Sequence, residues 1–363
     1  MNVRVVAFRA AAIGVGLLIA LALVELGLRL FHLATAGGVA TVSVSEYHRV
    51  PGLFLPNQRV REGRRRALPF AVRIDSLGYR GADFPRVKPA GEFRIVMVGD
   101  SFTFGDFVED DETLPAQLHQ LLADRCPGVR VVNAGVGGTT IITHGIMAAR
   151  AAAIDLDLVV LTFSENDIDD LVHPLWYGFE ANRRLKSRFP LSLLYPVLRR
   201  TALWNFALDL RARLAIVRRG KAGAGSEEPL EARAATEAAR VPLRRRYADA
   251  LVKLRDELAE RGVPLLFAAY PSHHSLVRQD RVSEMGMVDA AEAASIPVAN
   301  VLSAFEESQL GVEQLFLLPE DGHPRARGHA IAARRIAQRI LELPMLQQVC
   351  EGSAESPSSR SPR

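Results

Sequence analysis

Five short apolar runs constrain this chain more than any other feature. They are FRIVMV (93–98), VRVVN (129–133), DLVVLTF (157–163), VPLLFAA (263–269) and IPVANV (296–301), and the first is rich in β-branched residues. Runs of this length and composition predict buried strands. Between them lie stretches with helical spacing, at 111–124, 140–153, 243–260 and 330–341. In 243–260, Leu243, Tyr247, Leu251, Leu254 and Leu258 share one face; in 330–341, Ala333, Ile336, Ala337 and Ile340 do. Apolar strands alternating with amphipathic helices predict a parallel sheet covered on both faces. Ligands of such sheets bind beyond the carboxyl ends of the strands.

Composition removes other classes. A 363-residue chain that is 48% hydrophobic is too apolar to be disordered. Two cysteines, Cys126 and Cys350, cannot form a disulfide scaffold, and without a C-x-x-C there is no zinc ribbon. Whether the two pair is open. A net charge of +4 gives no argument for nucleic acid.

Residues 10–24 carry no charge, and apolar character continues to residue 34, broken by Glu25, Arg29 and His32. A bilayer core needs about 20 apolar residues. Glu25 at mid-membrane would cost roughly 2.5–3.5 kcal/mol. It lies in the outer third of the run, where Arg29 one turn later partly neutralises it. Arg4 and Arg9 precede the run, so the expected topology is a single-pass anchor at 10–34 in the cytoplasmic (inner) membrane. The rest of the chain would then lie outside the cytoplasm. A cleaved signal peptide ending at Ala34-Thr35-Ala36 and a buried core helix are the alternatives.

The residues that follow the strands carry the chemistry. Gly99-Asp100-Ser101-Phe102 follows the first run. Asn133-Ala134-Gly135-Val136-Gly137-Gly138-Thr139 follows the second and Ser164-Glu165-Asn166-Asp167 the third. Glu320-Asp321-Gly322-His323-Pro324 precedes the last helix. A serine, glycines, an asparagine and an Asp/His pair on one sheet edge are the parts of a serine acyl-transfer site. Ser101 at a strand-to-helix turn exposes its Oγ, Gly138 brings an N–H close to substrate, and His323 is placed to take the Ser101 proton. His329 reads as structural. His273-His274 remains a minor alternative.

These four stretches resemble the four blocks of the SGNH (GDSL-type) hydrolase superfamily, over about 93–343. Asp75-Ser-Leu-Gly-Tyr-Arg80-Gly and the apolar N-terminus resemble its membrane-anchored bacterial members. The resemblance implies a flavodoxin-like three-layer α/β/α fold around a parallel sheet of about five strands. It implies Ser101, His323 and Asp321 as catalytic residues and an oxyanion hole of Ser101, Gly138 and Asn166, with no metal or cofactor. Three departures stand out: Phe102 replaces the leucine of the GDSL name, Ser164 replaces a glycine, and Asp321 is two residues before His323 instead of three. Asp321 is the favoured partner and Glu320 the alternative.

The expected organisation is an anchor (1–36), a tether and lead-in (37–92), a hydrolase domain (93–345) and a disordered tail (346–363). A helical insertion at 174–240 interrupts the domain. Residues 181–221 hold eleven Lys/Arg against one acid, Asp209. That segment, with Trp176, Tyr177, Trp204 and Phe206 in the insertion, reads as a solvated helical element, a lid on anionic lipid or a surface for an acidic polysaccharide. The expected function is an extracytoplasmic serine esterase acting on small acyl esters of an envelope glycan, acetyl esters above all. An O-acyltransferase and a non-catalytic glycan-binding module are the alternatives.

Overall fold

The computed structural model describes residues 3–30, 54, 56–62, 70–172, 188–198, 201–204, 206–207, 230–277, 281–318 and 321–354. Two compact units divide the chain: residues 1–42, 61–69 and 181–227 form one, and residues 43–60, 70–180 and 228–363 the other.

The larger unit is built on five parallel strands: β1 (Phe93–Gly99), β2 (Val129–Gly135), β3 (Leu158–Phe163), β4 (Leu265–Ala269) and β5 (Val298–Asn300). Their order is β2-β1-β3-β4-β5. All five coincide with the predicted runs. Side chains alternate between faces, as a pleated strand requires. From β1 and β3, Val96, Val98, Val159 and Leu161 enter one core, with Met147, Leu251 and Leu254 from helices Ile141–Ala151 and Leu230–Ala259. Ile95, Met97, Leu158 and Val160 enter the other, with Leu118 and Ile336 from helices Leu114–Ala123 and Ala326–Leu341. The predicted three-layer α/β/α architecture is therefore the one observed.

The strand order places the site. The chain leaves β1 for β2 on one side, then returns to β3 on the other, so the sheet's switch point lies between β1 and β3. Register pairs Gly99 with Gly135 and Val98 with Leu161, bringing the three carboxyl ends level.

Three boundaries differ from expectation. Residues 70–92 are not a tether: Phe70, Val72, Ile74 and Tyr79 are buried in the sheet core, and the backbone of Arg80 bridges to Asn133. The alternation Phe70, Val72, Ile74 carries that burial, in and around a short strand at Phe70–Arg73. The insertion ends earlier than residue 240. Helix Leu230–Ala259 runs unbroken through that position, and Arg240 pairs with Glu165 and Asp169 of the larger unit. The tail begins later than residue 346. Pro344–Ala354 is helical, Leu346 is buried, and Cys350 forms a disulfide with Cys126 across a Cα separation of 4.8 Å. Residues 355–363 lie outside the described residues.

In the smaller unit, Val3–Leu30 is one helix. At 1.5 Å per residue its 28 residues span roughly 42 Å, enough to cross a bilayer core of about 30 Å. Its apolar side chains are exposed, including Phe8, Ile13 and Leu18. Residues 31–34 of the expected anchor lie outside the described residues. Glu25 is not left alone in this apolar helix. Arg29 Nε donates to it at 2.8 Å, and the N–H groups of Ala202 and Leu203 each donate to its carboxylate at 2.8 Å. A short apolar helix at Leu191–Leu198 belongs to the same unit and exposes Leu193 and Leu194. Of the basic stretch, only Arg188 falls among the described residues, and Trp176 and Tyr177 lie outside them.

Candidate active site

Ser101 opens a single helical turn, Ser101–Phe104, directly after β1. Asp100 caps that turn by accepting the N–H of Phe102 at 2.9 Å. A residue at the first position of a turn has no intrahelical acceptor, so the Ser101 N–H is a spare donor beside its own hydroxyl.

His323 reaches Ser101 from the opposite loop. Its Nε2 lies 2.8 Å from Ser101 Oγ, and its Nδ1 is hydrogen-bonded to Asp321 Oδ1. Asp321 also accepts the His323 backbone N–H at 3.1 Å. The two-residue spacing thus lets one carboxylate hold both the ring and the backbone. The loop is closed by Leu317 N–H to His323 O at 2.9 Å and Asp321 N–H to Leu317 O at 2.6 Å. A Cβ on Gly322 would lie 2.7 Å from the His273 ring, so a larger residue there would displace that ring. His273 thus lies beside the loop, and Glu320 lies outside the described residues.

The imidazole sits between two aromatic rings, Phe102 at 5.6 Å and Phe107 at 5.1 Å between centroids. Burial pulls its pKa down, but the hydrogen bond to Asp321 and the negative charges of Asp106, Asp321 and Asp100 outweigh that. The net result is a pKa above the ordinary 6.5. Burial pushes the Asp321 carboxyl up, and its hydrogen bonds from His323 and Gly322 with the attraction of the imidazolium bring it below the ordinary value.

After β2, the glycine turn runs beside the nucleophile. A Cβ on Gly137 would stand 3.7 Å from Ser101 Cβ, so Gly137 borders the serine. Gly138 adopts φ +73°, a conformation that favours glycine. Thr139 Oγ1 donates to Val136 O at 2.6 Å and lies 3.1 Å from His144 Nε2. Full burial lowers the His144 pKa to about 3, so this ring is a neutral brace for the turn.

Asn166 follows β3 as expected, but its amide is committed elsewhere. Its Nδ2 donates to Asp100 Oδ2 at 2.9 Å and to Asp170 Oδ2 at 3.3 Å, so both amide hydrogens face carboxylates. Ser164, in the place of the family glycine, has its Oγ 2.6 Å from Asn166 Oδ1 and 2.9 Å from Asp100 Oδ2, so its single hydrogen is shared between two acceptors of this cluster. The oxyanion role expected of Asn166 is therefore not the geometry adopted. Burial, with the charges of Asp100 and Asp170, pushes the neighbouring Asp167 carboxyl well above the usual range. His329 is buried in a helix, with burial taking its pKa down to about 3, as suits a structural residue.

Three residues near the site escaped sequence reasoning. Asp106 Oδ2 lies 3.8 Å from His323 Nε2. Phe107 holds φ +71°, where a residue with a Cβ gives up roughly 1–2 kcal/mol. The buried Arg80 guanidinium donates to the carbonyls of Phe104 at 2.9 Å, Gly105 at 2.7 Å and Val108 at 2.9 Å, and to Asp110 at 3.0 Å. The lead-in segment thus clamps the loop that follows the nucleophile. In the sequence Arg80 stood out only as part of the Asp75–Gly81 stretch that resembles the membrane-anchored family members. Among the described residues no cluster of three metal-ligating side chains occurs.

A family model for the GDSL-like lipase/acylhydrolases matches residues 97–331, more than half of the chain. A comparison with curated proteins gives no match. Among solved structures, a lipolytic protein of the G-D-S-L family from Desulfitobacterium hafniense DCB-2 is 14% identical, covering 68% of this chain and 99% of its own at a TM-score of 0.41. A second, from Veillonella parvula DSM 2008, is 16% identical over 69% of this chain and 100% of its own, at 0.40. An acetylxylan esterase from Geobacillus stearothermophilus is 17% identical over 68% and 94%, at 0.39. At such scores these are similarities only, and the assignment rests on the family model. By that match the chain belongs to the GDSL-like lipase/acylhydrolase family and is a serine hydrolase.

Proposed function

We propose that the protein is a membrane-anchored, extracytoplasmic esterase that uses Ser101, His323 and Asp321 to remove small acyl groups from an envelope glycan. The observation that carries the catalytic part is the continuous chain Ser101 Oγ–His323 Nε2 at 2.8 Å and His323 Nδ1–Asp321. In this reading His323 takes the Ser101 proton as Oγ attacks the ester carbonyl. Asp321 fixes the ring tautomer and balances the imidazolium. The N–H groups of Ser101 and Gly138 stabilise the oxyanion, with Asn166 acting at one remove by holding Asp100.

Two observations support the location. Glu25 accepts backbone hydrogen bonds from Ala202 and Leu203, which ties the apolar helix to a distant part of the chain and favours a retained anchor over a cleaved leader. A disulfide suits an oxidising compartment outside the cytoplasm. The polar wall that Asp106 gives the site favours a short acyl group on a hydroxyl-rich substrate over a long acyl chain.

The test is turnover of p-nitrophenyl acetate by the purified full-length chain and its Ser101→Ala variant. Loss on the order of 10³-fold or more, with the melting temperature kept, is expected. Undiminished turnover by folded Ser101→Ala would refute the reading.

A further inference from the structure

Asp106 places a carboxylate on the open side of the Ser101–His323 pair, and the acylation chemistry above leaves it without a task. Its Oδ2 is 3.8 Å from His323 Nε2, and the side chain is only 12% exposed. The point where a Gly137 Cβ would sit lies 3.7 Å from Ser101 Cβ and 3.9 Å from Asp106 Oδ2. Ser101 and Asp106 thus border one small space that the missing side chain of Gly137 keeps open, and His323 Nε2 adjoins both residues.

The corner that presents Asp106 is held firmly. The Asp106 N–H donates to Ser101 O at 3.1 Å, and Arg80 ties down the carbonyls of Phe104, Gly105 and Val108. Gly105 and Phe107, on either side, both take left-handed conformations. Glycine adopts this conformation freely, whereas the strain it puts on Phe107 persists where the surroundings over-determine it and is of a kind that concentrates at functional sites.

We propose that Asp106 positions the nucleophile of the deacylation half-reaction. Its carboxylate accepts one hydrogen of an attacking water while the other points at His323 Nε2. For an alcohol acceptor, the attacking hydroxyl spends its single hydrogen on Nε2, so Asp106 needs a second, neighbouring hydroxyl: a vicinal diol, as on a sugar, fits and a simple alcohol does not. The step balances without a further reactant. The acceptor oxygen bonds to the acyl carbon of acyl-Ser101 and its proton passes to Nε2. The bond from the acyl carbon to Ser101 Oγ then breaks, and Oγ takes the proton from Nε2. The product is a carboxylic acid from water or a new ester from a diol. This assignment rests on the reading of Ser101 as the acylated residue.

Stopped-flow turnover of p-nitrophenyl acetate separates the two halves, since p-nitrophenolate leaves without a hydroxyl to hold or a proton to receive. Asp106→Ala is expected to lower kcat about tenfold or more, to lower KM with it and to keep kcat/KM within about threefold. A burst of about one p-nitrophenolate per enzyme and an acetyl adduct on Ser101 should accompany this. Asp106→Asn keeps an acceptor oxygen and should recover part of kcat. Wild-type protein should acylate ethylene glycol in preference to methanol at equal concentration, and Asp106→Ala should lose that preference. Equal falls in kcat and kcat/KM would overturn the proposal, because Asp106 would then act through His323 in both halves. Unchanged kcat with the Ser101 adduct detected would overturn it alone. Turnover by both proteins with the acetyl adduct on another residue would overturn the Ser101 reading and this assignment together.

Discussion

At the scale of single residues, if His323 is the base proposed, the charges around it decide the working pH. The ring acts as a base only when neutral, and Asp321, Asp106 and Asp100 all favour its protonated form, while Phe102 and Phe107 face it without charge. Its pKa in the folded protein is therefore raised, and activity should be lost as pH falls through a value above 6.5. The acid limb of kcat/KM is expected above that point. Asp106→Asn removes one favouring charge and should move the limb to lower pH. A wild-type limb at or below 6.5, or no displacement in Asp106→Asn, would contradict the electrostatic account. That Ser101, His323 and Asp321 come together was legible in the sequence because each stands just beyond a strand or before a helix in recognisable company. Asp106 was not: nothing in Gly-Asp-Phe-Val announces that two left-handed residues turn its carboxylate toward a histidine 217 positions later. Asn166 was legible in position but not in orientation, because its rotamer is set by Ser164, Asp100 and Asp170 together.

At the scale of elements, the five strands were readable because short, mostly buried apolar runs stand out against the helices between them. The pieces that pack from outside the repeat were not. Residues 70–80 look like a linker until Phe70, Val72 and Ile74 are seen entering the sheet core and Arg80 the loop after Ser101. The last helix likewise runs into a polar tail in the sequence, and its docking depends on Leu346 and on the bond from Cys350 to Cys126. That bond closes a loop of 224 residues, a large restriction on the unfolded chain. Its removal is expected to cost about 2–5 kcal/mol. Thermal unfolding of the oxidised protein and of Cys126→Ala/Cys350→Ala checks this: the variant should melt several degrees lower with its esterase activity retained at 25 °C. Equal melting temperatures would mean that the last helix is held by packing alone.

At the scale of the whole molecule, the proposed site of action outside the cytoplasm is supported by two features. One N-terminal helix is long and apolar enough to cross a membrane, and a disulfide suits an oxidising compartment. At this level the sequence made the apolar helix itself legible, since charge-free length is a one-dimensional property. What the sequence could not convey is that Glu25, which reads as a defect in an anchor, accepts the N–H groups of Ala202 and Leu203. The central claim is that Ser101 is an activated nucleophile on the outer side of the membrane. A membrane-impermeant fluorophosphonate applied to spheroplasts expressing the full-length chain tests it most directly. The account expects a phosphonyl adduct on Ser101, in protein that stays in the carbonate-washed membrane fraction, and none in Ser101→Ala. An unmodified Ser101 after lysis and prolonged exposure, in folded protein, would contradict it.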